Sequence, residues 1–82
     1  MNRLHINIRV NDLNQARKQY QALLGAEPTF TRPDYIKWDL DDPAINLSVM
    51  SRGGSNGLDH LGIRYDDEVD YIKAVTRISA LD

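Results

Sequence analysis

A chain of 82 residues is one domain or part of one, and 41% apolar with 27% charged residues is the balance of a globular protein. The formal net charge is −2, and lysines and arginines are scattered without a basic run, which removes the electrostatic case for nucleic acid. No apolar run approaches the roughly 18–20 residues of a membrane span, the N-terminus lacks a signal-peptide apolar block, and the absence of cysteine excludes disulfides, thiolate ligands and a cysteine nucleophile.

The segment LHINIRV alternates strictly. Leu4, Ile6, Ile8 and Val10 face one way, and His5, Asn7 and Arg9 the other, so the period of two predicts a strand with one packed face. Asp12 with Gln15 three residues on reads as a capped helix start. Leu13, Ala16, Tyr20, Leu23 and Leu24 then recur at helical spacing, and Gly25 sits where a helix ends in a left-handed residue, which predicts a helix over 13–24. Its apolar stripe is expected to cover the first strand, with Ile6 and Ile8 buried. Three strands follow. EPTFTR is restricted by Pro28 to an edge, YIKWDL places Ile36, Trp38 and Leu40 on one side, and AINLSVM places Ile45, Leu47 and Val49 on one side. Pro33-Asp34 and Asp41-Asp42-Pro43 supply the turns.

Residues 51–57, SRGGSNG, read as a flexible linker. They lack the Lys-Ser/Thr ending of a phosphate loop. Beyond them HLGIRYDD repeats HINIRVND at a constant offset, with His5/His60, Ile8/Ile63, Arg9/Arg64 and Asp12/Asp67 identical. Leu61, Ile63 and Tyr65 alternate with His60, Gly62 and Arg64. A second helix over 67–80 carries Val69, Ile72, Val75 and Ile78 on its apolar side. Each copy therefore reads as a strand covered by its following helix, with a His and an Arg on the open face. The expected class is α+β: a βαβββ module over 1–50, the linker 51–57, and an incomplete second βα module over 58–82, forming a curved mixed sheet with helices on its outer face.

The stretch HINIRVNDLNQARKQYQALLGAEP resembles the opening of the vicinal-oxygen-chelate superfamily, which includes glyoxalase I, extradiol dioxygenases, fosfomycin-resistance enzymes and bleomycin-resistance proteins. The shared pattern is a strand headed by His or Gln, then V-x-D-L, a helix ending F/Y-x-x-L-L-G, and three strands. RPDYIKWDLDDPAINLSVM and GLDHLGI are similar to the cadmium-induced and organoarsenical-lyase branch. The resemblance covers nearly all of the chain. It implies two βαβββ modules curving around a divalent metal, with one ligand from the first strand of each module, here His5 and His60. In glyoxalase-like members another ligand comes from the fourth strand, where this chain has Asn46, a candidate substrate-binding residue here. The last carboxylate ligand of the family comes from a final strand for which this sequence has no counterpart, so the chain reads as truncated after the first βα of the second module. The vicinal cysteine pair of the lyase branch has no match here either.

The residues themselves allow the same chemistry. Two imidazoles on a concave sheet face suit Fe, Mn, Ni or Zn, and an open site of two histidines and a carboxylate can act as Lewis acid or redox centre. Neither histidine-bearing face offers that carboxylate in the alternating pattern, and the alternation does not fix which way Asp39 faces. A single histidine on a polar strand face is ordinarily solvated. Arg9 and Arg64 are candidates to contact an anionic substrate or to be paired at the surface, and Trp38 is a candidate core residue or cleft wall. Two functional classes stand: a metal-dependent lyase, isomerase or dioxygenase domain whose metal site is vestigial or completed in a dimer, and a non-catalytic small-molecule-binding module of the bleomycin-resistance kind. A folded remnant without activity is the third reading. The expected partners are a small molecule and a second copy in a homodimer, with exchange of the C-terminal segments as one form of it. No nucleic acid or membrane is expected, and the expected location is the cytoplasm.

Overall fold

In a computed structural model, which describes residues 1–81, the alternating segments form β1 (Arg3–Arg9), β2 (Phe30–Arg32), β3 (Tyr35–Asp41), β4 (Ala44–Met50) and β5 (Gly57–Arg64). The helical spacings form α1 (Leu13–Leu24) and α2 (Glu68–Ser79). Asp82, the last residue of the expected second module, lies outside the described residues. The strands make one mixed sheet in the order β2-β3-β4-β1-β5. β1 runs parallel to β4, a pairing that α1 and the β2–β3 hairpin make room for, and every other pair is antiparallel. The class is α+β, with a βαβββ unit extended by β5 and α2.

α1 begins and ends as its sequence dictates. The Asp12 carboxylate accepts from the Gln15 amide at 3.0 Å, satisfying a donor the helix cannot use. Gly25 closes the helix at φ 68, the left-handed region where a side chain would be strained, and its amide donates to the Gln21 carbonyl. The stripe of α1 packs on the sheet around a core of Ala16, Ile36, Trp38, Leu47 and Val49. Trp38 has no exposed surface, and its indole N–H donates to the Ala26 carbonyl at 2.9 Å.

Two expectations need correction. α1 does not lie chiefly over β1. It crosses β4 and β3, so Ile6 and Ile8 only flank the core and are half-buried, whereas Asn7, on the opposite face, is buried. Leu23 points to solvent, about 100° around the helix from Leu24. Nor does α2 cover β5. Leu61 and Ile63 stay 63% and 49% exposed, Val69, Ile72, Val75 and Ile78 are exposed too, and within α2 only Ala74 is buried. The cause is positional. The helix of the first unit packs over the strands beside β1, but among the described residues β5 is the edge of the sheet.

Candidate metal centre

The register of β1 decides what meets what. On its parallel side His5 lies opposite Asn46, and on its antiparallel side His5 faces Gly62 while Asn7 faces His60. The two histidines therefore rise from the same face on neighbouring strands, one step apart along the sheet. Their rings are tilted at 45° with centroids 5.0 Å apart, and their Nε2 atoms are separated by 3.0 Å. The repeated strands thus bring their histidines together within one chain.

The far side of each ring is held by an acceptor. His5 Nδ1 lies 3.1 Å from the main-chain carbonyl of Asn46 and 2.7 Å from its side-chain oxygen. With the side-chain oxygen and the main-chain carbonyl both facing Nδ1, both neighbours accept and Nδ1 carries the hydrogen. His60 Nδ1 lies 2.7 Å from Asp59 Oδ2. The other oxygen of Asp59 is 2.6 Å from an Arg9 guanidinium nitrogen. The hydrogen bond from His60, with Arg9 alongside, holds the Asp59 carboxyl below its ordinary range against the opposing effect of desolvation. An ionised carboxylate also only accepts, so His60 too is protonated on Nδ1. With both rings in that form the two Nε2 lone pairs converge on one point, where a proton or a metal ion would sit between them.

Around this point the sheet forms an open cleft of about 490 Å³, whose walls include His5, His60, Asn46, Arg64, Lys37 and Tyr35. A depression of similar size beside the end of α1, lined by residues such as Arg17, Lys18 and Glu27, holds no convergent imidazoles. The candidate site is therefore the one at the histidines. Of the residues picked out in the sequence, His5, His60, Asn46 and Arg64 share this cleft. Asn46 reaches it chiefly as the partner of His5. Arg9 does not line it. Its side chain is committed to Asp59 and, through Nε, to the Arg52 carbonyl at 3.0 Å.

Alternation could not reveal Asp59. In a regular strand a residue beside His60 points to the opposite face, but the β1–β5 register slips between Asn7 and Ile8, so that Asn7 pairs with His60 and Ile8 with Leu58. Asp59 is the unpaired residue of this bulge, and the bulge lets its carboxylate turn back onto the neighbouring imidazole. Asp39 is settled by cross-strand pairing, since it lies opposite Asn46 on the histidine face. Its oxygens sit 3.4 Å from Arg3 Nε and 3.5 Å from Arg64 Nη1, within ion-pair reach, although Oδ1 is buried with no hydrogen-bond partner. These contacts are electrostatic without the alignment of a hydrogen bond. Arg3 also pairs with Asp41 and, at 2.7 Å, with Asp66, which ties β1, β3 and the start of α2 together. Among the described residues no third His, Cys, Asp or Glu joins the pair as a ligand set.

No family model matches the chain. It is similar to proteins named trivalent organoarsenical cleaving enzyme from Bacillus sp. (strain MD1), 30% identical over 92% of this chain and 48% of the relative, and from Thermomonospora curvata, 30% identical over 95% of this chain and 53% of the relative. It is also similar to the cadmium-induced protein CadI of Mycobacterium tuberculosis, 34% identical over 77% of this chain and 42% of that protein. The chain spans about half the length of the curated relatives it matches. No helix among the described residues is long and apolar enough to cross a membrane.

Proposed function

We propose that the chain is a vicinal-oxygen-chelate domain of the organoarsenical-lyase and cadmium-induced type, and that His5 and His60 together bind one divalent metal ion. The observation that carries this reading is the 3.0 Å separation of two Nε2 atoms whose rings are each fixed from behind by an acceptor. Two nitrogens each about 2.1 Å from an ion, at right angles to one another, lie about 3 Å apart. The donor set of two neutral imidazoles suits Fe, Mn, Ni or Zn. Two imidazoles leave most coordination positions open to water or substrate. Such an ion supplies Lewis acidity toward paired oxygens of a small molecule.

The chain's own residues would then divide the work. Asn46 orients His5, Asp59 orients His60, and Lys37 gives the cleft wall positive charge that favours an anionic or strongly polar ligand, while Arg64 beside it is shared with Asp39 and Asp66. The relatives are named for cleaving trivalent organoarsenicals. This chain holds no cysteine to grip trivalent arsenic, so its share of such an activity is the metal side of the site. The basic wall also supports a second reading, a small-molecule-binding module that holds an anion without catalysis.

Assembly as a homodimer through β5 and α2 belongs to the same proposal. The accessible surface is 5694 Å², against roughly 5,000 Å² for a compact monomer of this mass. The excess, on the order of 700 Å², is close to the roughly 800 Å² that each partner buries in a standard interface. The exposed apolar side chains of α2 and the unpaired edge of β5 form a face that a second copy can cover about a two-fold axis.

Equilibrium dialysis against Ni or Zn tests the metal reading. The protein should retain about one ion per chain, and His5→Ala or His60→Ala should each abolish retention. Metal held by the double variant would overturn the assignment.

A further inference from the structure

The bulge in β5 places Asp59 behind His60, with Arg9 at the end of β1 beyond it, and nothing in the ligand pair itself requires them. If His60 carried its hydrogen on Nε2, it would donate across the 3.0 Å gap to His5 Nε2, and the two imidazoles would satisfy each other. That arrangement quenches both lone pairs and removes the site. It leaves His60 Nδ1 without a hydrogen, its lone pair 2.7 Å from an Asp59 oxygen. Two acceptors at that distance repel, so Asp59 penalises the quenched state.

The carboxylate can do this only if it stays in place against the ring. Arg9 holds it there. It contacts Asp59 Oδ1 at 2.6 Å, and its Nε donates to the Arg52 carbonyl. A Cβ on Gly54, at φ 97, would sit 3.3 Å from the Arg9 guanidinium carbon, so the 51–57 segment closes over the arginine where a glycine permits it.

We propose that Asp59, braced by Arg9, is a positioning residue that holds His60 in the Nδ1–H form and so keeps the histidine pair from quenching itself. The inference rests on the metal reading for its purpose but not for its test. Nitrogen-15 NMR of the metal-free, histidine-labelled protein reads the tautomer directly. In the native chain His60 Nδ1 should be protonated throughout, and any unprotonated ring nitrogen should be Nε2. In Asp59→Ala the unprotonated nitrogen should become Nδ1. Arg9→Met, which keeps the carboxylate but removes its brace, should give a mixture of the two forms. If Asp59→Ala does not fold, the native spectrum and Arg9→Met still decide the matter. Metal affinity should fall about 10–100-fold in Asp59→Ala. An Nε2–H tautomer in the native protein, or an unchanged tautomer in Asp59→Ala, overturns the proposal. Native protein that binds no metal but keeps the Nδ1–H form overturns the metal reading and leaves the lock standing.

Discussion

At the scale of single residues, polar contacts decide which of several plausible side chains acts. Arg9 and Arg64 occupy equivalent positions in the repeat, yet Arg64 lines the cleft and Arg9 serves Asp59. The bulge turns the Asp59 carboxylate onto Arg9, whereas Arg64 stands at the cleft within ion-pair reach of Asp39 and Asp66. Trp38 is settled by burial. With no exposed surface and its N–H on the Ala26 carbonyl, it is a core residue that pins the segment leaving α1. Trp38→Ala should destabilise the fold by about 3–5 kcal/mol. Trp38→Phe keeps most of the volume but strips the Ala26 carbonyl of its donor, and should cost about 1–3 kcal/mol. Urea titration of the two variants checks the order. A negligible loss in Trp38→Phe would mean that the indole hydrogen bond contributes nothing, and equal losses would mean that the buried ring volume contributes nothing.

At the scale of elements, periodicity served well where an element has a packed neighbour. The bounds of α1, the glycine at its end and the apolar faces of β3 and β4 follow from spacing alone, because one face of each meets a dry core. Periodicity says which residues share a face but not which element covers them. It therefore could not show that α1 lies over β4 and β3, leaving Ile8 half-buried, or that α2 covers little. Nor can alternation anticipate a bulge, which is why Asp59 was missed while His5 and His60 stood out through their repeat. The correction has a measurable consequence. Leu47, 3% exposed, should cost about 2–5 kcal/mol as Leu47→Ala. Ile8→Ala, at a half-buried position, should cost clearly less in the same denaturant assay. Similar losses would restore α1 to a place over β1.

At the scale of the whole molecule, β5 and α2 expose apolar side chains and a charge network holds the N-terminal strand. Sedimentation equilibrium at micromolar concentration should give about twice the 9.4 kDa chain mass. A stable monomer across that range would contradict assembly through β5 and α2. The network predicts acid sensitivity. The hydrogen bond from Arg3, then that from the N-terminus, holds the Asp66 carboxyl below its ordinary 3.8 despite desolvation, and His60 and Arg9 do the same for Asp59. Folded values below unfolded ones mean that these carboxylates stabilise the fold fully above pH of about 4, and that the contribution is lost as the pH falls further. Denaturation midpoints should therefore drop on acidification below that point, and Asp66→Asn should flatten the drop. An unchanged acid limb in Asp66→Asn would show that this pairing carries no weight in the fold.

The central claim is that His5 and His60 of one chain grip the same ion. X-ray absorption at the edge of the bound metal tests it most directly, because multiple scattering from imidazole rings counts the histidines around each ion. The account predicts two imidazoles per ion in the native protein and one at most in His5→Ala or His60→Ala under metal excess. A native spectrum showing fewer than two imidazoles would contradict it.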